Sequence, residues 1–137
     1  WPARPVGELD NVVAHGQTIE LPAARAGARQ LVLLGAASNG DSRGEVTVTY
    51  SDGSITRAPV VFHDWVVGEG DDPGTLGNRI VVETPYRNDS GGGRQALRTC
   101  IFAAAPIALD AAKSVTSISL PKTSGGVMHL FAWAFRP

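Results

Sequence analysis

A tryptophan beside an aspartate and a histidine, His63-Asp64-Trp65, is the first place where this sequence could bind a ligand. An aromatic ring stacks on the apolar C–H face of a sugar, and carboxylates form hydrogen bonds with its hydroxyls. The segment lies where an apolar run meets a glycine-rich stretch, so a strand should end there. Trp65 therefore fits a stacking ring and Asp64 a hydrogen-bonding group. The alternative is that Trp65 closes the end of the core and Asp64 caps the turn.

A second polar and aromatic cluster follows at Tyr86-Arg87-Asn88, with Arg98 a few residues later. A ring, two or three guanidinium groups and an amide are able to surround a polyol or an acidic sugar, with Tyr86 as a second candidate stacking ring. The alternative is a solvated loop with surface salt bridges. The two clusters form one site only if their loops emerge at the same end of the fold.

Acidic residues of a glycine-rich segment, Glu69, Asp71 and Asp72, could supply oxygen ligands to calcium. Hard cations take several carboxylate and carbonyl oxygens from a compact loop. The spacing does not match an EF-hand loop, so a solvated acidic loop is favoured over a structural calcium ion near Asp71 and Asp72. We therefore expect no cofactor.

Motifs for catalysis are missing from the sequence. The three histidines stand in unlike contexts, and no Gly-x-Ser-x-Gly elbow or phosphate-binding loop is present. Glycoside hydrolysis needs two opposed carboxylates, and nothing around Asp64 or Glu83 marks them as such a pair. The sequence therefore predicts a protein that is not an enzyme.

Composition excludes several classes of partner. The 137 residues carry a formal net charge of −1 without a block of Lys and Arg, so the electrostatic signature of nucleic-acid binding is missing. No apolar run approaches the roughly 20 residues that span a bilayer, so no membrane insertion is expected. The single cysteine, Cys100, lies in an apolar run and is expected to be a buried, inert thiol.

Short alternating segments separated by turn residues predict an all-β fold. Residues 45–50 alternate, Asp52-Gly53 is a hairpin signal, and residues 56–61 form the return strand. We expect a jelly-roll β-sandwich of two antiparallel sheets with about eight strands. Residues 11–137 form this sandwich, and the Pro-rich residues 1–10 form a linker or N-terminal extension.

Three further expectations concern individual segments. The strand that begins at Gln17 should stop at Pro22, and the turn-rich residues 38–44 should form a loop. The last strand should cover residues 127–135. Its period of two places four ring-bearing residues on one side as a core-packing stripe, with the histidine satisfied by neighbours rather than bound to metal: His129, Phe131, Trp133 and Phe135. The alternative is that Trp133 lines a binding face.

Three segments together resemble accessory β-sandwich modules of the galactose-binding-domain-like type found in secreted bacterial glycoside hydrolases. They are residues 16–22, residues 46–53 leading to Asp64-Trp65, and residues 113–121 with residues 129–132. The resemblance implies a carbohydrate-binding module, secreted as part of a larger bacterial protein, that brings an attached catalytic domain to an oligo- or polysaccharide. The alternative is a sandwich without a ligand of its own that braces the neighbouring catalytic domain.

Overall fold

A computed structural model describes Pro5, Glu8 and residues 10–137. The linker expected over residues 1–10 lies outside the described residues except at Pro5, Glu8 and Asp10. Among the described residues, no helix has the length and apolar character needed to cross a membrane.

The described chain consists of β-strands and one short 3-10 helix. The strands are β1 (Val12–Val13), β2 (Thr18–Arg25), β3 (Gln30–Tyr50), β4 (Ile55–Phe62), β5 (Arg79–Thr84), β6 (Arg87–Asn88), β7 (Arg94–Gln95), β8 (Thr99–Ala103), β9 (Ile107–Ala108), β10 (Val115–Ser119) and β11 (Ser124–Arg136). The 3-10 helix spans Pro73–Leu76. All pairings between these strands are antiparallel. The all-β prediction is confirmed, and several two-residue strands raise the strand number above eight.

The long strand β3 joins the two layers of the fold. Its first half pairs with β11 on one edge and with β8 and β9 on the other, whereas its second half pairs with β10 and β4. The sheet therefore curls on itself around one hydrophobic core. Leu31 and Leu33 from the first half and Val46 and Val48 from the second are all at most 2% exposed. The small pair β6–β7 forms a separate sheet.

The expected loop over residues 38–44 is wrong, because β3 continues through it. Before this segment the odd-numbered residues of β3 are buried, and after it the even-numbered ones are. The change occurs across Asn39 and Gly40, whose φ angles are 62° and 99°. Side chains along a strand alternate between its two faces, and only one face packs on the core. The irregularity shifts this alternation by one residue, so the apolar residues of both halves of β3 face the core.

The expected end of β2 at Pro22 is also wrong, since the strand continues to Arg25. In the described part of the chain β2 pairs only with β10, so it is an edge strand. Proline is tolerated there because its missing N–H is not needed on the free edge. The extension brings residues 21–25 beside the end of β11.

A bulge in β11 divides the aromatic stripe. The register against β3 skips one residue between Leu130 and Ala132, so Phe131 is the extra residue. Beyond it Trp133 lies directly opposite Leu33, a core residue that is 2% exposed. Directly opposed residues of an antiparallel pair share a face, so Trp133 turns toward the core.

The expectation that the four ring-bearing residues of β11 share one side is therefore wrong. Phe135 lies opposite the buried Leu31, on the core side with Trp133. His129 lies opposite Ala36, on the other side of the strand from Leu130. The expected core packing is confirmed for Phe131, Trp133 and Phe135, all of which pack against the hydrophobic core. His129 therefore lies on a different side of β11 from Trp133 and Phe135.

Candidate functional site

A cavity of about 520 Å³ opens beside Trp65. We call it the Trp65 pocket, and its lining residues come from β3, β8, β11 and the two chain segments next to them: Asn11, Ala36, Ala37, Ser38, Trp65, Cys100, Ile101, His129 and Phe131. None of these described lining residues is Asp, Glu, Lys or Arg. The pocket therefore combines aromatic and aliphatic walls with a few neutral polar groups, the composition common to small-molecule sites.

Backbone hydrogen bonds on both sides hold Trp65 in place. Its N–H donates to the carbonyl oxygen of Ala37 at 2.8 Å, and its own carbonyl oxygen accepts from the Cys100 N–H at 2.8 Å. The residue thus bridges β3 and β8 after β4 has ended. Its side chain is half-buried and packs against the core. A ring fixed in this way loses little further conformational freedom when a ligand binds.

Three polar side chains of the pocket form a hydrogen-bonded chain. The hydroxyl oxygen of Ser38 lies 3.0 Å from Nε2 of His129, and Nδ1 of His129 lies 3.0 Å from Oδ1 of Asn11. A side-chain carbonyl oxygen can only accept, so Nδ1 carries the hydrogen. In the neutral ring Nε2 is then an acceptor, and the Ser38 hydroxyl donates to it. His129 is satisfied by neighbours, as the sequence predicted.

Asp64, a predicted ligand-binding residue, uses its carboxylate to hold the backbone. Oδ2 accepts from the Gly40 N–H at 2.6 Å, and Oδ1 accepts from the Val66 N–H at 2.8 Å. The contact with Gly40 fixes the irregular segment of β3 directly after Ser38. This arrangement matches the capping alternative considered for Asp64, and a direct role in binding stays a prediction.

The structure brings the two predicted clusters together through Arg87. Its guanidinium carbon lies 5.5 Å from the centroid of the Trp65 ring, within the range of a cation–π contact. Nε of Arg87 also donates to Oε1 of Gln95 at 2.7 Å, across the β6–β7 hairpin. Arg87 therefore stands at the rim of the Trp65 pocket and takes up one face of the ring.

The other predicted residues lie outside the pocket lining. The Arg94 guanidinium carbon is 4.4 Å from the centroid of the Tyr86 ring. Asn88 is exposed on the β6–β7 hairpin. Arg98 donates from Nε and Nη2 to the two carboxylate oxygens of Glu83, both at 3.1 Å, and this pairing lowers the pKa of Glu83. Tyr86, Asn88 and Arg98 stay predicted ligand residues, and none of them lines the Trp65 pocket.

Two of the three carboxylates considered for calcium, those of Asp71 and Asp72, accept hydrogen bonds from backbone amides. Oδ2 of Asp71 accepts from the Gly68 N–H at 2.7 Å, and Oδ1 of Asp72 accepts from the Gly74 N–H at 2.8 Å. Asp72 thereby caps the 3-10 helix. Within the described ranges, no three His, Cys, Asp or Glu side chains are grouped so that they could hold a metal ion.

A second cleft, of about 570 Å³, lies where the end of β2 meets the end of β11. Trp133 and Phe135 contribute aromatic rings to it, and Arg25 and Arg136 contribute positive charge. This cleft is charged where the Trp65 pocket is neutral. The two cavities therefore suit ligands of different polarity.

Asn11, Ser38 and His129 were missed as a group by the sequence. Ser38 and His129 are 91 positions apart, and His129 and Asn11 are 118 apart. No local spacing signals such a contact, and Ser38 fell in a segment that reads as a loop. Trp65, the one residue of the His-Asp-Trp segment among the described lining residues, was the part of the pocket that residue types alone could indicate.

Residues 2–135 match the model of a family described as the AziU2-like beta-sandwich domain. The chain belongs to this family. No curated protein matches the chain. The AziU2-like family match supports the β-sandwich implied by the resemblance to carbohydrate-binding modules, and it leaves the ligand class open. The family description names a fold and no reaction.

Proposed function

We propose that this AziU2-like domain is a carbohydrate-binding module that takes a neutral sugar in the Trp65 pocket. The observation that carries the proposal is one neutral cavity that combines the rings of Trp65 and Phe131 with the polar groups of Asn11, Ser38 and His129. Rings supply stacking surface for C–H groups, and the polar groups supply partners for hydroxyls. The lining residues themselves are neutral, and Arg87 at the rim is already engaged with the Trp65 ring and Gln95, so the pocket favours a neutral sugar over an acidic one.

The pocket's size agrees with a small ligand. A volume of about 520 Å³ falls within the roughly 300–1,000 Å³ typical of small-molecule sites. Arg87 occupies one face of Trp65, so a sugar stacks on the remaining face or displaces the guanidinium. Such a shallow site would bind with a Kd of about 0.1–1 mM, or roughly 4–5.5 kcal/mol.

The biological role we propose is targeting. Within a larger secreted bacterial protein, the domain would hold an attached glycoside hydrolase near polysaccharide. Weak binding suffices, because tethering raises the effective concentration of substrate at the catalytic domain. The module itself contributes binding, and the attached domain contributes hydrolysis.

The proposal is tested by titrating the domain with a panel of neutral glycans while following tryptophan fluorescence. Trp65→Phe removes the pocket fluorophore and keeps an aromatic ring, and Trp133→Phe is the matched control in the second cleft. We expect a saturable signal in the wild type and in Trp133→Phe, and its loss in Trp65→Phe. Asn11→Ala should weaken binding about fivefold, the cost of one hydrogen bond.

A second candidate is the brace, which the exposed edge strand β5 favours. Val81 and Val82 are each 45% exposed, and in the described part of the chain β5 pairs only with β8. An apolar free edge suits contact with a neighbouring domain. Folded protein that responds to no glycan would reject the sugar proposal. The brace then requires Val82→Lys to weaken contact between the sandwich and its attached domain.

A further inference from the structure

The geometry points to Ser38 as a nucleophile toward a small O-acyl ester held in the Trp65 pocket, with His129 as its general base and Asn11 as a positioning residue. The inference rests on the pocket of the proposed function but not on the ligand's being a sugar. It goes beyond binding, because it assigns a chemical step to a domain whose sequence shows no catalytic motif.

The hydrogen-bonded chain has the order that a serine nucleophile needs. Ser38 Oγ lies 3.0 Å from Nε2 of His129, within reach for proton transfer. On the other side of the ring, Asn11 Oδ1 lies 3.0 Å from Nδ1 and holds the hydrogen there. The tautomer is thereby fixed with Nε2 free to accept the serine proton.

The surroundings favour this chemistry over ordinary surface hydrogen bonding. The side chains of Trp65, Ile101 and Phe131 wall the same cavity, and the lining is neutral. The part-buried Ser38–His129 hydrogen bond lies beside these apolar walls, where partial shielding from water strengthens it. Asp64 fixes the Gly40 N–H two residues beyond Ser38, so the backbone that carries the hydroxyl is held in place.

The proposed reaction transfers the acyl group of the ester first to Ser38 and then to water. Ser38 Oγ forms a bond to the ester carbonyl carbon while its proton passes to Nε2 of His129. The bond between that carbon and the alcohol oxygen breaks, and Nε2–H returns the proton to the departing oxygen. An acyl-Ser38 results, and water cleaves it by the same route to give a carboxylic acid and free Ser38.

Trp65 and Cys100 also line the pocket, and their roles in the proposed reaction differ. Trp65 lines the cavity, and in the proposed reaction its indole Nε1–H would donate to the carbonyl oxygen of the ester. Cys100 also lines the cavity, but among the described residues the His129 ring forms its hydrogen bonds with Ser38 and Asn11 rather than with this thiol. Burial raises the pKa of the Cys100 thiol, which disfavours the thiolate. Ser38 is therefore the nucleophile of this pocket.

The test exposes the folded protein to a fluorophosphonate probe and locates the adduct by peptide mass spectrometry. We expect one adduct on Ser38, together with hydrolysis of p-nitrophenyl acetate. Ser38→Ala should lose both, and His129→Gln should slow labelling by about 100-fold or more. Ser119→Ala is the matched control, because the Ser119 hydroxyl bonds Thr18 rather than a histidine.

Asn11 is tested by a readout that a purely structural role would not move. Asn11→Ala should lower the labelling rate and change its pH profile, because the imidazole loses its orienting partner. Asn11→Asp keeps an acceptor for Nδ1–H and should restore labelling. A rate and pH profile unchanged in Asn11→Ala would overturn the positioning role.

The outcomes separate this inference from the sugar proposal. Labelled Ser38 in a protein that responds to no glycan supports the nucleophile and rejects the sugar ligand. Glycan binding without any adduct on Ser38 overturns the nucleophile and leaves the binding function standing. The site of the adduct in wild-type protein decides the matter even if Ser38→Ala fails to fold.

Discussion

Asp64 shows how a residue chosen for its chemistry can serve the structure first. A sequence reader sees a carboxylate beside a tryptophan and expects it to face a ligand. In the folded chain both oxygens accept backbone N–H groups, from Gly40 and Val66. Those amides emerge only when β3 bends and the chain leaves β4, so the sequence alone could not supply the partners.

We predict that Asp64→Ala lowers the free energy of unfolding by about 1–3 kcal/mol, because two backbone donors lose a charged acceptor. Urea unfolding followed by far-UV circular dichroism measures the change. Asp89→Ala is the control, since Asp89 also accepts two backbone N–H bonds but lies in the loop of the peripheral β6–β7 hairpin. Equal losses in the two variants would contradict the role given to Asp64.

Among the elements, the β3–β4 hairpin was predictable from local chemistry and the path of β3 was not. Asp52-Gly53 lies at the turn as expected, with Gly53 at φ 81°. The turn residues at 39 and 40 instead lie inside a strand, because β11 pairs with β3 on both sides of them, at Ser38 and at Ser42. Long-range pairing of this kind overrides local turn preference. The bulge at Phe131 could not be predicted for the same reason, because it depends on the pairing of β11 with β3.

The β3–β4 turn carries a pH-dependent contribution to stability. The Ser54 hydroxyl and N–H donate to Oδ1 of Asp52, and Lys113 Nζ lies 3.1 Å from Oδ2; together they lower the pKa of Asp52 from 3.8 to about 2. A carboxylate whose pKa is lower in the folded than in the unfolded protein stabilises the folded state at pH values above its unfolded-state pKa. This contribution is lost as the pH falls through its folded-state pKa.

We predict that Asp52→Asn is less stable than the wild type near neutral pH, and that the difference shrinks as the pH falls from 3.8 to about 2. Urea unfolding of both proteins at a series of pH values measures it. Ser54→Ala, which removes the strongest hydrogen bond to the carboxylate, should show the same trend. A difference that stays constant across this range would show that Asp52 contributes through something other than its charge.

At the scale of the whole molecule, the fold class could be predicted from the sequence, whereas the Trp65 pocket could be identified only from the folded structure. Alternation and turn residues were enough to predict an all-β fold, because each strand must expose one side and bury the other. The Trp65 pocket forms only when β3, β8 and β11 meet beside Trp65, with Asn11 ahead of β1. Its polar members are distant in sequence, so no reading of local segments assembles them.

The measurement that tests the central claim most directly is a ¹H–¹⁵N correlation spectrum recorded during titration with the best glycan of the panel. The claim predicts that shift changes centre on the Trp65 indole and on the backbone amides of Ser38 and His129, while the Trp133 indole and the Arg25 amide stay in place. Changes centred on the cleft of Trp133 and Arg25, or no changes at all with any glycan, would contradict it.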